Sequence, residues 1–486
     1  MALKMRNIST LIHQYKKVPV QVKASIAFVI CSILQKAIAL ITTPLYTSML
    51  TTAQYGQFSL FSTWYSLLEI FATLNLFNAT FNNGMIKYKK NKSAFISSMQ
   101  GLSTVSTFVV MVVILCGWSF WKKIIDLPLF VVALIFLQLF FYPAFTFWSA
   151  EQRYRYKYKW LVFFTLLCSF LVPAISCFAI KYNKNPQYNG YIRIITSVII
   201  FVTVGLGFYI YNMIRGGSFY VKEYWKFAVV FSIPLIPHYL SNIILGQIDT
   251  VMISKYYSGS EVAIYSLSNQ ISLIMNFVNA AIWSSLTPTI YQKIDNGNES
   301  TIKPLAMKLI GLMCLITLLP AIAAPEAIRI LGTEEYMDGV FLIAPVTMTI
   351  LFRFVSNFYS TIEFYYGYSI YSTISSILGA IVDIVLDAIM IPKYGYRYAG
   401  YTTFICYLLM LALHYYFMKN VLNRMKIKTN IYDNKQIFIS IIASCLLSLL
   451  FMSMYSTIFI RLFLGAMIEI VLSILFIYKI KKEWSY

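Results

Sequence analysis

The chain has 486 residues, 59% of them hydrophobic, 17% aromatic and 12% charged, with 39 Lys and Arg against 18 Asp and Glu for a formal net charge of +21. A soluble globular chain carries about 25% charged residues, so this composition excludes a water-soluble protein. A basic nucleic-acid-binding domain is excluded too, because the Lys and Arg residues fall between long apolar runs rather than on a solvated domain.

A membrane-crossing helix needs about 20 mostly apolar residues. Fourteen such spans are expected: 25–49, 56–74, 95–118, 127–148, 160–180, 191–211 and 227–248, then 262–283, 305–324, 340–359, 371–391, 399–418, 437–454 and 458–478. The first run is of membrane length with no small-residue cleavage site after it, so it reads as a span rather than a signal peptide. The seven cysteines lie inside the apolar runs and show no Cys-x-x-Cys spacing, which argues against a disulfide framework or a zinc site. No connecting segment is long enough for a catalytic or nucleotide-hydrolysing domain, and no G-x-x-x-x-G-K-[ST] pattern occurs. No cofactor and no metal site are expected.

Lys and Arg accumulate in the cytoplasmic loops of membrane proteins. With an even number of spans and a cytoplasmic N-terminus, 27 Lys and Arg fall on the cytoplasmic side, 8 on the opposite side and 4 (Lys36, Arg193, Arg353 and Arg461) within spans. Both termini are therefore expected in the cytoplasm. Most of the +21 reads as a topology signal.

Two short similarities recur six spans apart. Phe58-Ser59-Leu60 resembles Tyr265-Ser266-Leu267, 207 positions on, and Tyr188-Asn189-Gly190-Tyr191 resembles Tyr398-Ala399-Gly400-Tyr401, 210 positions on. Repeats of an even number of spans give parallel halves related by an axis along the membrane normal. The expected fold is an all-α integral membrane protein of about 14 transmembrane helices, with two parallel six-helix lobes around a central cavity plus two C-terminal helices. The divisions follow: 1–24 a cytoplasmic N-terminal segment, 25–211 the N-lobe, 212–226 a cytoplasmic inter-lobe linker, 227–418 the C-lobe, 419–436 a cytoplasmic loop, 437–478 the two added spans and 479–486 a cytoplasmic tail.

Polar residues inside spans carry the chemistry. Ser25, Ser32, Lys36 and Thr43 share one face of span 1, and Ser62, Ser66, Glu69 and Thr73 one face of span 2. In span 7, Pro234 and Pro237 break the helix before a face carrying His238, Ser241 and Asn242, with Asp249 at its outer end. Span 8 carries Asn269, Ser272, Asn276 and Asn279, span 10 carries Thr349, Arg353, Ser356 and Asn357, and span 11 carries Ser372, Ser376, Asp383 and Asp387. Interhelical hydrogen bonding accounts for many Ser, Thr and Asn stripes. Lys36 and Arg353 need more, because an intramembrane cation requires a counter-charge or water. They are read, with His238, as an anion site in a partly dry cavity, a structural ion pair to an acid such as Glu69 being the alternative. Asn242, Asn269, Asn276 and Asn357 would line its polar wall. Glu69, Asp383 and Asp387 are candidates for carrying H+ or Na+, while Asp387 alternatively sits near the outer headgroups, bonded to the loop with Lys393 and Arg397. Arg193 reads as snorkelling to the outer edge and Arg461 as locally structural.

The segment Phe231-Ser232-Ile233-Pro234-Leu235-Ile236-Pro237-His238 through Asp249-Thr250-Val251-Met252-Ile253 resembles the span-7 signature of bacterial polysaccharide or O-antigen repeat-unit flippases (Wzx-type). Pro44-Leu45-Tyr46 through Gln54-Tyr55-Gly56-Gln57-Phe58 resembles that family's junction of spans 1 and 2, and Ile391-Pro392-Lys393-Tyr394-Gly395 with Ala399-Gly400-Tyr401 its junction of spans 11 and 12. The three together resemble the multidrug/oligosaccharidyl-lipid/polysaccharide exporter superfamily, and the resemblance runs over the whole chain. It departs where Asp383 and Asp387 stand in place of the family's frequent Asn.

The resemblance implies a non-enzymatic flippase. It would move a polyprenyl-diphosphate-linked oligosaccharide across the bacterial cytoplasmic (inner) membrane for O-antigen or capsule synthesis, by alternating access coupled to H+ or Na+. A polysaccharide polymerase, a chain-length regulator and membrane lipids would be its partners, and nucleic acid would not. A multidrug or cation antiporter of the same superfamily is one alternative, favoured by an acidic aromatic cavity. A membrane polysaccharide polymerase is another, and needs a long extracytoplasmic segment.

Overall fold

The computed structural model describes residues 19–427 and 431–484. Residues 1–18 of the expected N-terminal segment, 428–430 of the last long loop and 485–486 of the tail lie outside the described residues. The described residues form helices and turns without a strand. Eleven helices are long and apolar enough to cross a membrane. The other three expected spans correspond to Thr52–Thr73, to Gly259–Leu273 with Met275–Asp295, and to Ile458–Trp484, which are not among those eleven.

Boundaries shift where local chemistry differs from a hydropathy window. Span 7 is a helix Lys222–Ser232, a 3-10 turn Ile233–Leu235 and a second helix Ile236–Tyr256. Proline lacks a backbone N–H and clashes with the preceding turn, so Pro234 and Pro237 interrupt the ladder. Span 8 starts earlier than expected, at Gly259. Ser258 and Glu261 close a capping box there, the Ser258 N–H donating to Glu261 Oε2 over 3.0 Å. Asn189–Gly216 ends on Gly217, whose φ of +63° suits a residue without a Cβ and lets its N–H reach the Met213 carbonyl at 2.8 Å.

The chain divides into two compact units. The first contains the described residues through Met49, Trp64–Lys123 and Leu127–Ile236. Its helices Leu129–Tyr154 and Asn189–Gly216 pack along their lengths, with Lys92–Cys116 against both and Val20–Met49 against Lys159–Lys181. Lipid tails are as apolar as leucine, so burial alone does not drive this packing; close fit and interhelical hydrogen bonds do. Asn212 Nδ2 donates to Gln100 Oε1 (2.9 Å) and to the Ala144 carbonyl (3.1 Å), tying three helices together. Phe81, Phe95, Phe147 and Tyr224 fill the space beside them.

The second unit contains Leu50–Thr63, Ile124–Asp126 and the chain from Pro237 onward. Val340–Tyr365 is its central helix, packed against Tyr398–Arg424, Ile302–Ile322 and Gly259–Leu273. Ser268 and Ser272 donate to the Gly339 and Ile343 carbonyls (3.0 and 3.3 Å), so these serines are interhelical glue. Asn434–Ser453 and Ile458–Trp484 pack on Ile302–Ile322. There Arg461, fully buried, pairs with Glu326 and donates to the Tyr455 carbonyl over 3.0 Å, a structural role.

Gly56 marks the tightest approach in this unit: a Cβ there would stand 1.8 Å from the Gly259 carbonyl oxygen. Backbone cannot yield as a flexible side chain does, so Gly56→Leu is expected to cost at least about 3 kcal/mol, the upper range of core overpacking. The loss of a monodisperse peak in detergent gel filtration, with wild-type membrane insertion, checks it.

Candidate functional site

Three buried carboxylates meet in the second unit, where three helices converge. Ile236–Tyr256 supplies Asp249, Ser369–Tyr394 supplies Asp383 and Asp387, and Tyr398–Arg424 supplies Thr402 and Thr403. One oxygen from each carboxylate lies within 4.8 Å of the others. All three acids are buried, Asp383 and Asp387 with no exposed surface. Asp249 Oδ2 accepts from Tyr265 Oη and, over 3.0 Å, from Thr403 Oγ1, and Asp387 Oδ1 accepts from Thr402 Oγ1 at 2.5 Å. Asp249 Oδ1, Asp387 Oδ2 and both oxygens of Asp383 are buried without a hydrogen-bond partner.

Buried acceptors of this kind are costly unless something satisfies them. Two occupants suit an all-oxygen set: a hard cation, for which carboxylate and hydroxyl oxygens are the preferred donors, or protons shared among the acids. The Asp383/Asp387 spacing put both on one helix face in the sequence. Asp249 reads from sequence as the outer end of span 7, because nothing local shows that its helix turns it onto the same point.

The loop alternative for Asp387 is corrected. The side chain is buried against Thr402, and Arg397 is engaged elsewhere, its Nη2 2.7 Å from Asp338 Oδ2. That hydrogen bond raises the Arg397 pKa. Arg193 is corrected too: rather than snorkelling it is 7% exposed, with its guanidinium 3.8 Å over the Tyr46 ring.

The remaining expected residues are spread over both units. Lys36 and Glu69 belong to the first, Glu69 accepting from Tyr65 Oη at 3.3 Å. Arg353, His238 and the four asparagines belong to the second. Lys36 is exposed on Val20–Met49. Arg353 is exposed on a helix that is otherwise almost entirely buried, and Asn357, one turn on, shares its face. His238 is half-buried with Nδ1 unpartnered, while its carbonyl accepts from Asn242 Nδ2 at 2.9 Å. Asn269 and Asn276 are half-buried on either side of the helix junction at Ile274.

A buried His–Glu pair, with partners 51 positions apart, has no signal in the sequence. His414 Nδ1 lies 3.0 Å from Glu363 Oε1, the two side chains 6% and 0% exposed. Glu363 lies outside the expected span 340–359. The helix Val340–Tyr365 runs six residues beyond the expected span and carries Glu363 inward. Ile362, fully buried just past the expected end, is the apolar signal that extends the span.

Residues 22–293 match the polysaccharide biosynthesis protein family. An Lsg locus protein of Haemophilus influenzae is 22% identical over 399 residues, 78% of this chain and 94% of that protein. Among solved structures, the lipid II flippase MurJ in an inward closed conformation is similar with a TM-score of 0.66 at 14% identity, over 94% of this chain and 99% of that one. An inward-facing multidrug resistance MATE family transporter of the MOP superfamily is similar with a TM-score of 0.59 at 12% identity, over 83% and 100%. With a match across more than half its length and helices arranged as in these transporters, the chain is a multi-pass membrane protein that belongs to the polysaccharide biosynthesis protein family and has the MOP-superfamily fold.

Proposed function

We propose that the chain is a flippase for polyprenyl-diphosphate-linked oligosaccharide repeat units, acting at the bacterial cytoplasmic membrane in surface polysaccharide synthesis. The observation that carries this reading is membership of the polysaccharide biosynthesis protein family in a chain with a transporter fold. Lys36 in the first unit, and Arg353 and His238 in the second, are the candidate phosphate-binding residues: guanidinium matches phosphate oxygens as a planar fork, ammonium as a compact charge. Asn242, Asn269, Asn276 and Asn357 would face the sugars. Asp249, Asp383 and Asp387, with Glu69 in the first unit, would take the coupling Na+ or H+. The divisions at 25–211, 227–418 and 437–478 would be the two rocking lobes and a flank for the lipid tail, and a polymerase and chain-length regulator would receive the product.

In proteoliposomes carrying a defined diphosphate-linked oligosaccharide, leaflet-access measurements are expected to show translocation that depends on the protein. Lys36→Ala and Arg353→Ala are each expected to lower it at least about tenfold, the loss of one charge-assisted phosphate contact of 1.5–3 kcal/mol. Wild-type rates in both at wild-type protein levels would remove the anion site. Extrusion of cationic drugs without movement of the oligosaccharide would favour the antiporter reading. Lipid-linked units accumulating outside a deletion strain would favour a polymerase.

A further inference from the structure

Two cavities in the first unit run together at the end that the Lys/Arg bias assigns to the cytoplasm. The smaller, about 540 Å³, is a cup whose walls include Lys89, Lys90, Lys92, Arg155 and Arg215. The larger, about 960 Å³, shares Ser93, Arg155 and Arg215 with it, adds Lys157, and continues as a groove along Trp148, Phe164 and Phe208. Six cations thus surround a junction whose walls include one carboxylate, Glu151.

Glu151 is 1% exposed and anchors two of the cations: its Oε1 lies 2.8 Å from Arg155 Nη2 and 2.5 Å from Arg215 Nη2, and its Oε2 2.8 Å from Arg215 Nη1. Arg215 Nε also donates to Ser93 Oγ over 3.1 Å. These guanidiniums are held in place before anything binds, and the lysines beside them have no carboxylate in either wall to neutralise them.

The apolar part is equally defined. Phe208 lies 4.4 Å from Trp148 and 5.2 Å from Phe164, ring centre to ring centre, forming a continuous aromatic wall. Gly207 and Thr203 lie exposed along it, and nothing stands within 4 Å of where a Gly207 Cβ would be, so the groove is open at the side. Thr203 is three helical turns from Arg215, about 18 Å at 1.5 Å per residue. That distance is close to half of a hydrocarbon core about 30 Å thick. Trp160 and Tyr211 line its rim, as aromatic residues do at headgroup level.

A soluble anion would fill only the cup, and a neutral acyl chain only the groove. We propose that this composite cavity is a binding site for an anionic phospholipid of the cytoplasmic leaflet, its phosphate in the Lys89–Lys90–Arg155–Arg215 cup and one acyl chain along Trp148, Phe164 and Phe208. Basic pockets between transmembrane helices on this face of a membrane recognise acidic headgroups by the same chemistry. The assignment does not rest on the flippase reading.

The test is native mass spectrometry of the purified full chain in detergent with phosphatidylglycerol or phosphatidylcholine added at equal concentration. Phosphatidylglycerol is expected to be retained at least about tenfold better. Lys89→Gln/Lys90→Gln/Lys157→Gln, which changes exposed side chains, is expected to lower its retention at least about fivefold. Gly207→Phe, which fills the groove and leaves the cup intact, is expected to do the same while the protein stays monodisperse. Equal retention of the two lipids, wild-type retention in both variants, displacement of phosphatidylglycerol by equimolar inorganic phosphate, or stronger retention of a polyprenyl phosphate would each overturn the assignment.

Discussion

Replacing Asp387 by asparagine is expected to lower ion-gradient-driven translocation at least about tenfold while leaving the protein as stable as wild type or more so. The two effects have one cause. Carboxylates with oxygens inside 4.8 Å of each other repel by about 3 kcal/mol per ionised pair at an effective dielectric constant of about 20. Folding alone gains nothing from crowding three of them, and four of their six oxygens are buried without a hydrogen-bond partner. An arrangement that is unfavourable without a cation or protons makes sense if binding them is its purpose. Asparagine keeps the size and the Thr402 contact and removes one unit of repulsion. It also removes one charged ligand, whose loss at about 1.4 kcal/mol per decade corresponds to the tenfold drop. Radioactive sodium binding to the purified protein, measured beside transport under sodium and proton gradients, separates the two ions. An Asp387→Asn protein with wild-type gradient response and wild-type sodium binding would make the cluster a structural feature only. Thr403→Val, which deletes one hydroxyl donor from the Asp249 side, should give a smaller drop in transport together with a loss of stability of about 1–3 kcal/mol.

The second large effect concerns stability. His414→Leu leaves Glu363 fully buried without its hydrogen-bond partner, and a buried acceptor left unsatisfied in this way costs about 1–3 kcal/mol. The same reasoning predicts rescue. In Glu363→Leu/His414→Leu the unsatisfied carboxyl is gone, and replacing both partners by apolar groups is close to neutral, so the double variant should return most of the loss. Thermal unfolding in detergent, followed by tryptophan fluorescence, gives the four corners of this cycle. Additive losses in the double variant would show that the two side chains are not coupled and that the 3.0 Å approach contributes nothing.

Both predictions turn on residues that the linear chain presents ambiguously. Asp383 and Asp387 could be paired from their spacing of four, because helix geometry places such residues on one face. Asp249 lies 134 positions before Asp383, and no periodicity links the two. His414 and Glu363 were hidden differently. The expected span 340–359 ends before Glu363, although the helix continues through it. Arg193 was read by its nearness to an edge, when its actual partner is an aromatic ring on a helix far away in sequence. In each case the missing information is a partner brought close by packing.

What the sequence determined alone is the class of protein and the run of its helices. A hydrocarbon core demands long apolar segments whose backbone groups bond within the segment, and that requirement is local, written in consecutive residues. The excess of Lys and Arg between those segments is local too. The tertiary structure decided which polar residues are glue and which form sites. Ser268 and Ser272 turned to neighbouring backbone, three aspartates from two distant helices met, and the basic segments around Lys89, Arg155 and Arg215 closed on one aromatic groove. The charge that marks orientation in the sequence thereby gains a binding role at one end of the first unit. Helix formation depends on neighbours a turn apart, whereas a site depends on which faces of separate helices come together, and only packing settles that.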